Sequence, residues 1–230
     1  MSYDHPEFAG SKIHPKVLKP KDSATLILVR RDRGSPHILM GQRAGGHAFM
    51  PNKYVFPGGR LDPADCRVKP AKDLHPATLS KLLHRMRGKP TETRARGLAL
   101  AAIRETWEEA GLLFGRSRLE EAPDLSGLTL FMRAITPPGR TRRYDSRFFV
   151  ADAGNLFNID QPQHDGGGEL LTLSWLTLDD IAGLDLPLIT IDALKRLKPF
   201  LDQGRLPGPD CPASFQYHRG RTWVEDEITA

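Results

Sequence analysis

Nine consecutive residues near the middle of the chain, Arg104-Glu105-Thr106-Trp107-Glu108-Glu109-Ala110-Gly111-Leu112, concentrate the groups best suited to chemistry. On an α-helix, which turns about 100° per residue, Glu105, Glu108 and Glu109 share one face within roughly 100° of arc. Like charges at these spacings repel by about 0.2–0.5 kcal/mol per pair. Carboxylates near a helix C-terminus also oppose the helix dipole. A hard divalent cation removes both costs, because Mg²⁺ takes carboxylate oxygens and keeps positions for water and phosphate oxygens. The face therefore reads as a ligand set for Mg²⁺ or Mn²⁺, with a solvated acidic helix end as the plainer alternative. Arg104, one turn before Glu108, is spaced to orient that carboxylate through a charged hydrogen bond.

A second segment, Phe56-Pro57-Gly58-Gly59, ends a short strand in paired glycines. Without a Cβ, such backbone can pass close to another element or adopt a positive φ.

The elements that must position these groups are legible from apolar spacing. Ser23–Arg31 and Ile38–Gln42 read as a hairpin across Gly34-Ser35-Pro36, and Tyr54–Phe56 as a short strand. Arg94–Ala110 is an alanine-rich helix with Gly111 as its C-cap. Leu79, Leu82, Leu83 and Met86 predict a compact helical piece between Pro76 and Gly88. Leu128–Ile135, Arg147–Ala151 and Leu170–Leu176 read as strands, and Pro187–Leu201 as a closing helix. This order gives a mixed α+β arrangement, since a doubly wound parallel fold would alternate strand and helix more regularly. The divisions are an N-terminal arm over 1–21, one domain over 22–204 and a peripheral tail over 205–230.

At 230 residues, with 39% apolar and 27% charged side chains, the chain is long enough to bury one large core. No apolar run approaches the roughly 20 residues that cross a bilayer, and the N-terminus shows no secretory block. Cys66 and Cys211 make neither a disulfide framework nor a metal pair, so a cytoplasmic setting is expected. His47, His75, His84 and His164 lack zinc-ligand spacing.

The net charge of +5 raises a nucleic-acid partner, but the charge is uneven. Lys81, Arg85, Arg87, Lys89, Arg94, Arg96 and Arg104 face one acid, Glu92. Asp152–Asp192 contains acids and no Lys or Arg. A duplex binder presents a continuous basic face. Segregated charge instead suits a pocket for a small polyanion beside acidic metal ligands, and a nucleic-acid partner is not expected.

The glycine pair and the acidic helix together resemble the Nudix hydrolases. Their box runs glycine, five residues, glutamate, seven residues, then Arg-Glu-aliphatic-x-Glu-Glu-x-Gly-aliphatic. Arg104, Glu105, Glu108, Glu109, Gly111 and Leu112 match its second half, and Gly59 its first glycine. Thr106 stands at a normally aliphatic place, and Asp62 where members often carry an acid. Gly59 precedes Arg104 by 45 positions, so about 31 residues interrupt the box, and counting back from Arg104 puts Arg96 at the first glutamate. An interrupted box is similar to the subgroup that includes acyl-CoA diphosphatases.

The resemblance implies an α/β/α sandwich with a mixed sheet and a helical insertion over 62–93, which would cap the cleft. It implies hydrolysis of a phosphoanhydride in a nucleoside diphosphate linked to another moiety, CoA or acyl-CoA included. Glu105, Glu108 and Glu109 would hold Mg²⁺ or Mn²⁺, Arg104 would orient Glu108, and Glu105, Glu109 or the late-loop Glu169 would serve as base. Arg43, Arg147 and the Gly58-Gly59 backbone are the expected substrate contacts, with Arg142 and Arg143 as further cations. The partner is a small nucleotide-type diphosphate, with no membrane; a homodimer is one expectation. The competing reading is a catalytically inactive Nudix-fold sensor that binds a nucleotide.

Overall fold

The computed structural model describes residues 18–45, 52–160, 170–220 and 222–230. Its central strand, β1 (Lys21–Arg30), carries an almost unbroken apolar run because both of its faces are covered. Leu26 and Leu28 turn to one buried cluster and Ile27 and Val29 to the other. The other strands are β2 (His37–Arg43), β3 (Tyr54–Val55), β4 (Gly58–Arg60), β5 (Thr129–Ile135) and β6 (Tyr144–Asp152), followed by β7 (Leu170–Leu176), β8 (Ala213–Arg219) and β9 (Thr222–Ile228). They form one mixed sheet in the order β3-β2-β1-β6-β5-β8-β9, with β4 pairing β1 and β7 pairing β2. β1 runs parallel to β6 over Lys21–Val29 and antiparallel to β2 and β4.

Helix α1 (Pro76–Leu83) and the long helix α2 (Glu92–Ala110) cover one face. The short α3 (Leu178–Ala182) and α4 (Leu188–Asp202) cover the other. This is the expected α+β class and the α/β/α layering. Helix α2 begins where the Thr91 side chain accepts from Arg94 N at 3.2 Å. It ends at Gly111, left-handed at φ 65°, whose N–H reaches Trp107 O. Among the described residues no helix is long and apolar enough to cross a membrane.

One expectation is corrected. The segment after Pro207 is no peripheral tail: β8 pairs parallel to β5, β9 pairs antiparallel to β8, and Ala213, Phe215, Tyr217 and Ile228 enter the core. Alternating side chains in both strands explain this, since one side of each can bury. The helical part of the insertion is also built into the core. Leu74, Leu82 and Met86 bury against the α2 side of the sheet. Fully buried Lys81 donates to Leu130 O at 3.1 Å and Cys211 O at 2.7 Å.

An ionic chain fastens the insertion to the sheet. Arg133 donates from Nε and Nη2 to the two oxygens of Asp145, both at 2.8 Å, and from Nη1 to His84 O at 2.9 Å. Arg147 Nη1 lies 2.9 Å from Asp145 Oδ1 and 2.8 Å from Asp22 Oδ1. Arg94 Nε closes the chain on Asp22 Oδ2 at 2.7 Å. Burial would push the Asp145 carboxyl up, but Arg133 and Arg147 more than offset this and hold it below the usual carboxylate range. Its ionised form is therefore favoured by folding, so its contribution is present above pH of about 4 and is lost as pH falls further. Asp145→Asn leaves buried guanidinium groups without their counter-charge and is expected to cost about 3–5 kcal/mol. Urea denaturation at pH 7 measures that loss, and the gap between variant and parent should narrow below pH 4.

Candidate functional site

The last turns of α2 lie against the β4 backbone, and two glycines make the approach possible. A Cβ on Gly58 would meet Ala24 O at 2.5 Å and Thr25 Cα at 2.7 Å. A Cβ on Gly59 would overlap the Glu105 carboxylate. Any side chain at either position would push the strand off β1 or the carboxylate out of its seat. Gly58 N–H donates to Glu109 Oε2 at 2.9 Å, which fixes the most buried acid of the trio by backbone.

Arg104 organises the other two. Its Nη1 donates to Glu105 Oε1 at 2.9 Å and to Glu108 Oε2 at 2.8 Å. Both carboxylates therefore face a single positive group. The Glu105 side chain is 15% exposed and that of Glu108 is 50% exposed, so one acid lines the bottom of the site and the other its mouth. On its opposite edge, Arg104 grips Asp65 in a fork, Nε to Oδ1 at 2.9 Å and Nη2 to Oδ2 at 3.1 Å. Nη2 also reaches Arg60 O at 2.9 Å. Burial would lower the Arg104 guanidinium, but Asp65 and Glu105 more than reverse this and hold it above its ordinary value.

Asp65 is the residue that sequence reasoning missed. It is buried, in a 3₁₀ turn spanning Asp65–Arg67, and its Oδ2 also accepts from Asp62 N at 2.8 Å. Five residues separate it from Gly59, the spacing between the glycine and the first acid of the box. The signal was in the forward count; the backward count crosses the insertion and lands on Arg96. That residue instead pairs with Asp73 at 2.7 Å and Glu92 at 2.8 Å on the outer side of α2. Asp62 is farther from the guanidinium, at 3.9 Å. Thr106, at an aliphatic place, is fully buried with its hydroxyl donating to Ala102 O at 2.8 Å.

The remaining expected contacts divide. Arg43 ends β2 opposite Leu170, the residue that follows Glu169 in the chain. Glu169 itself lies outside the described residues, as do His47 and His164. Arg147 is not a substrate contact: its side chain is 1% exposed and held by Asp22 and Asp145. Arg143 is partly engaged, donating to Thr136 O at 3.0 Å and Leu18 O at 2.6 Å.

Among the described residues no three His, Cys, Asp or Glu side chains converge as a ready-made ion cage. The donor chemistry nonetheless suits a hard cation. The Glu105 and Glu108 carboxylates already share one positive group, Arg104 Nη1, and a third carboxylate, Glu109, belongs to the same helical face.

No protein-family model matches the chain. Among solved structures it is similar to a Nudix hydrolase from Alicyclobacillus acidocaldarius, 25% identical, covering 78% of this chain and 91% of that one with a TM-score of 0.58. A MutT Nudix hydrolase from Burkholderia pseudomallei is 20% identical over 78% of this chain and 99% of that one, with a TM-score of 0.48. The first of these likenesses supports the Nudix superfamily and matches the mixed sheet flanked by helices.

If Asp65 positions Arg104, Asp65→Asn lowers turnover by about 10–100-fold with a smaller change in KM, because it acts through Arg104 and the acids. Asp65→Glu, which restores the fork, should recover most of the rate at an unchanged thermal midpoint.

Proposed function

We propose that the protein is a divalent-metal-dependent hydrolase of phosphoanhydride bonds in nucleoside diphosphates linked to a second moiety, with CoA and acyl-CoA the first compounds to test. The likeness to the Alicyclobacillus hydrolase supports hydrolytic activity of this class. The observation that carries the reading is Arg104 between Asp65 and the Glu105–Glu108 pair, beside a glycine lip that seats one acid and binds another.

Glu105, Glu108 and Glu109 would hold Mg²⁺ or Mn²⁺. Bound there, the ion would offset the charge of the diphosphate and supply Lewis acidity at phosphorus. The chain's own groups do the positioning. Gly58 N–H holds Glu109 in a fixed rotamer, and Arg104 holds Glu105 and Glu108 toward one another. The Gly58-Gly59 backbone lets β1 and the Glu105 carboxylate pack where any side chain would clash. Arg43 is the cation assigned to phosphate charge left over. Glu105, Glu109 or Glu169 would take the proton from the attacking water, the choice resting on reach before pKa. The interrupted box favours the acyl-CoA diphosphatase-like subgroup, and a cytoplasmic setting follows from cysteine usage.

A pyrophosphate panel with Mg²⁺, containing CoA, acyl-CoA, NADH, ADP-ribose and dinucleoside polyphosphates, tests the reading. Glu108→Gln should fold normally and lose at least about a hundredfold in kcat/KM, since removing a direct ligand exceeds the usual outer-shell loss. Nucleotide binding without product, with or without metal, would establish the sensor instead.

A further inference from the structure

Four of the eight acids of Asp152–Asp192 that weigh against a nucleic-acid partner in sequence are matched by cations in the fold. Asp152 pairs with Arg31, Asp160 with Arg30 at 2.7 Å, Asp185 with Lys53 at 2.6 Å and Asp192 with Arg196 at 2.7 Å. The first two of these pairs lie at one end of the sheet, away from the end where β1 begins.

The end where β1 begins gathers cations from four separate segments. Arg87 Nη1 donates to Pro20 O at 3.0 Å, between Lys19 and Lys21. Lys21 N–H donates to Arg143 O at 2.9 Å, bringing in Arg142, and Ser23 pairs with Arg60 of β4. Lys19, Lys21, Arg60, Arg87, Lys89 and Arg142 are all exposed there. Among the described residues none of the six forms an ion pair. Asp22 and Asp145, at the same end, are already held by three guanidinium groups, those of Arg94, Arg147 and Arg133.

We propose that this end of the sheet binds a nucleic acid through its phosphodiester backbone, without reading bases. An array of exposed, unmatched Lys and Arg complements regularly spaced phosphates. Among the described residues, the large apolar side chains that are exposed, Val68, Leu119, Phe157, Leu171 and Trp223, belong to none of the contributing segments. An anionic membrane surface would call for apolar side chains to insert beside the cations, so it fits less well.

The test is fluorescence anisotropy with a 5′-fluorescein oligouridine RNA across KCl concentrations. Binding should weaken with salt, with a slope of about −0.7 per phosphate contact. Lys19→Glu/Lys21→Glu should weaken affinity at least about tenfold and flatten the slope by about 1.4. Its thermal midpoint should stay unchanged, and Glu108→Gln should bind RNA as the parent does, which separates this surface from the proposed catalysis. Equal binding by the double variant, no binding at low salt up to roughly 100 µM protein, or capture by phosphatidylserine–phosphatidylcholine vesicles in place of RNA would overturn the proposal.

Discussion

The arrangement of the site depends on one guanidinium. Arginine offers five N–H donors in a rigid plane, and Arg104 directs them to Asp65, Glu105, Glu108 and the Arg60 carbonyl. These partners come from the β4 strand, the turn that follows it and helix α2. The same group therefore sets the distance between strand and helix and the rotamers of two acids. A lysine could supply the charge but not the planar fork. Glu109 is fixed independently, by a backbone N–H, so the three acids are held by two different devices.

Buried charge serves a different purpose on the same side of the sheet. Arg133, Arg147 and Arg94 alternate with Asp145 and Asp22, and the carbonyls of the turn after α1 take further donors. Removing water from so many ions is costly unless each is paired and hydrogen-bonded. The result is a rigid mount that ties α1 and the start of α2 to β1, β5 and β6. The exposed cations next to it are of another kind, solvated and unmatched.

Much of this was legible in the sequence, for physical reasons that can be named. The β1 run, the α2 helix with its glycine cap and the acidic stripe each follow from periodicity and local chemistry. Asp65 was obscured because the insertion breaks the count from Arg104, so distance along the chain no longer reports the partner. The β8–β9 pair was hidden behind Pro207, Gly208, Pro209 and Pro212, which read as the end of order although the strands after them alternate. Arg147 shows a different limit. Alternation along a strand tells which face a side chain takes, but whether that face lies under a helix depends on elements far away in sequence. Charge along the chain has the same limit, because acids of the later chain find cations far off in sequence, Asp160 at Arg30, Asp152 at Arg31 and Asp185 at Lys53.

The insertion has an entropic meaning as well as a spatial one. Asp65 and Arg104 are 39 positions apart. Joining them closes a loop that is longer by more than two doublings than the seven intervening residues of an uninterrupted box, at an extra entropic cost of roughly 1–1.5 kcal/mol. That cost is offset only when the intervening helix docks and buries Leu74, Leu82 and Met86. The fork between Asp65 and Arg104 thus rests on the packing of a segment that touches neither residue, so the geometry of the centre is tied to a patch of core well away from it.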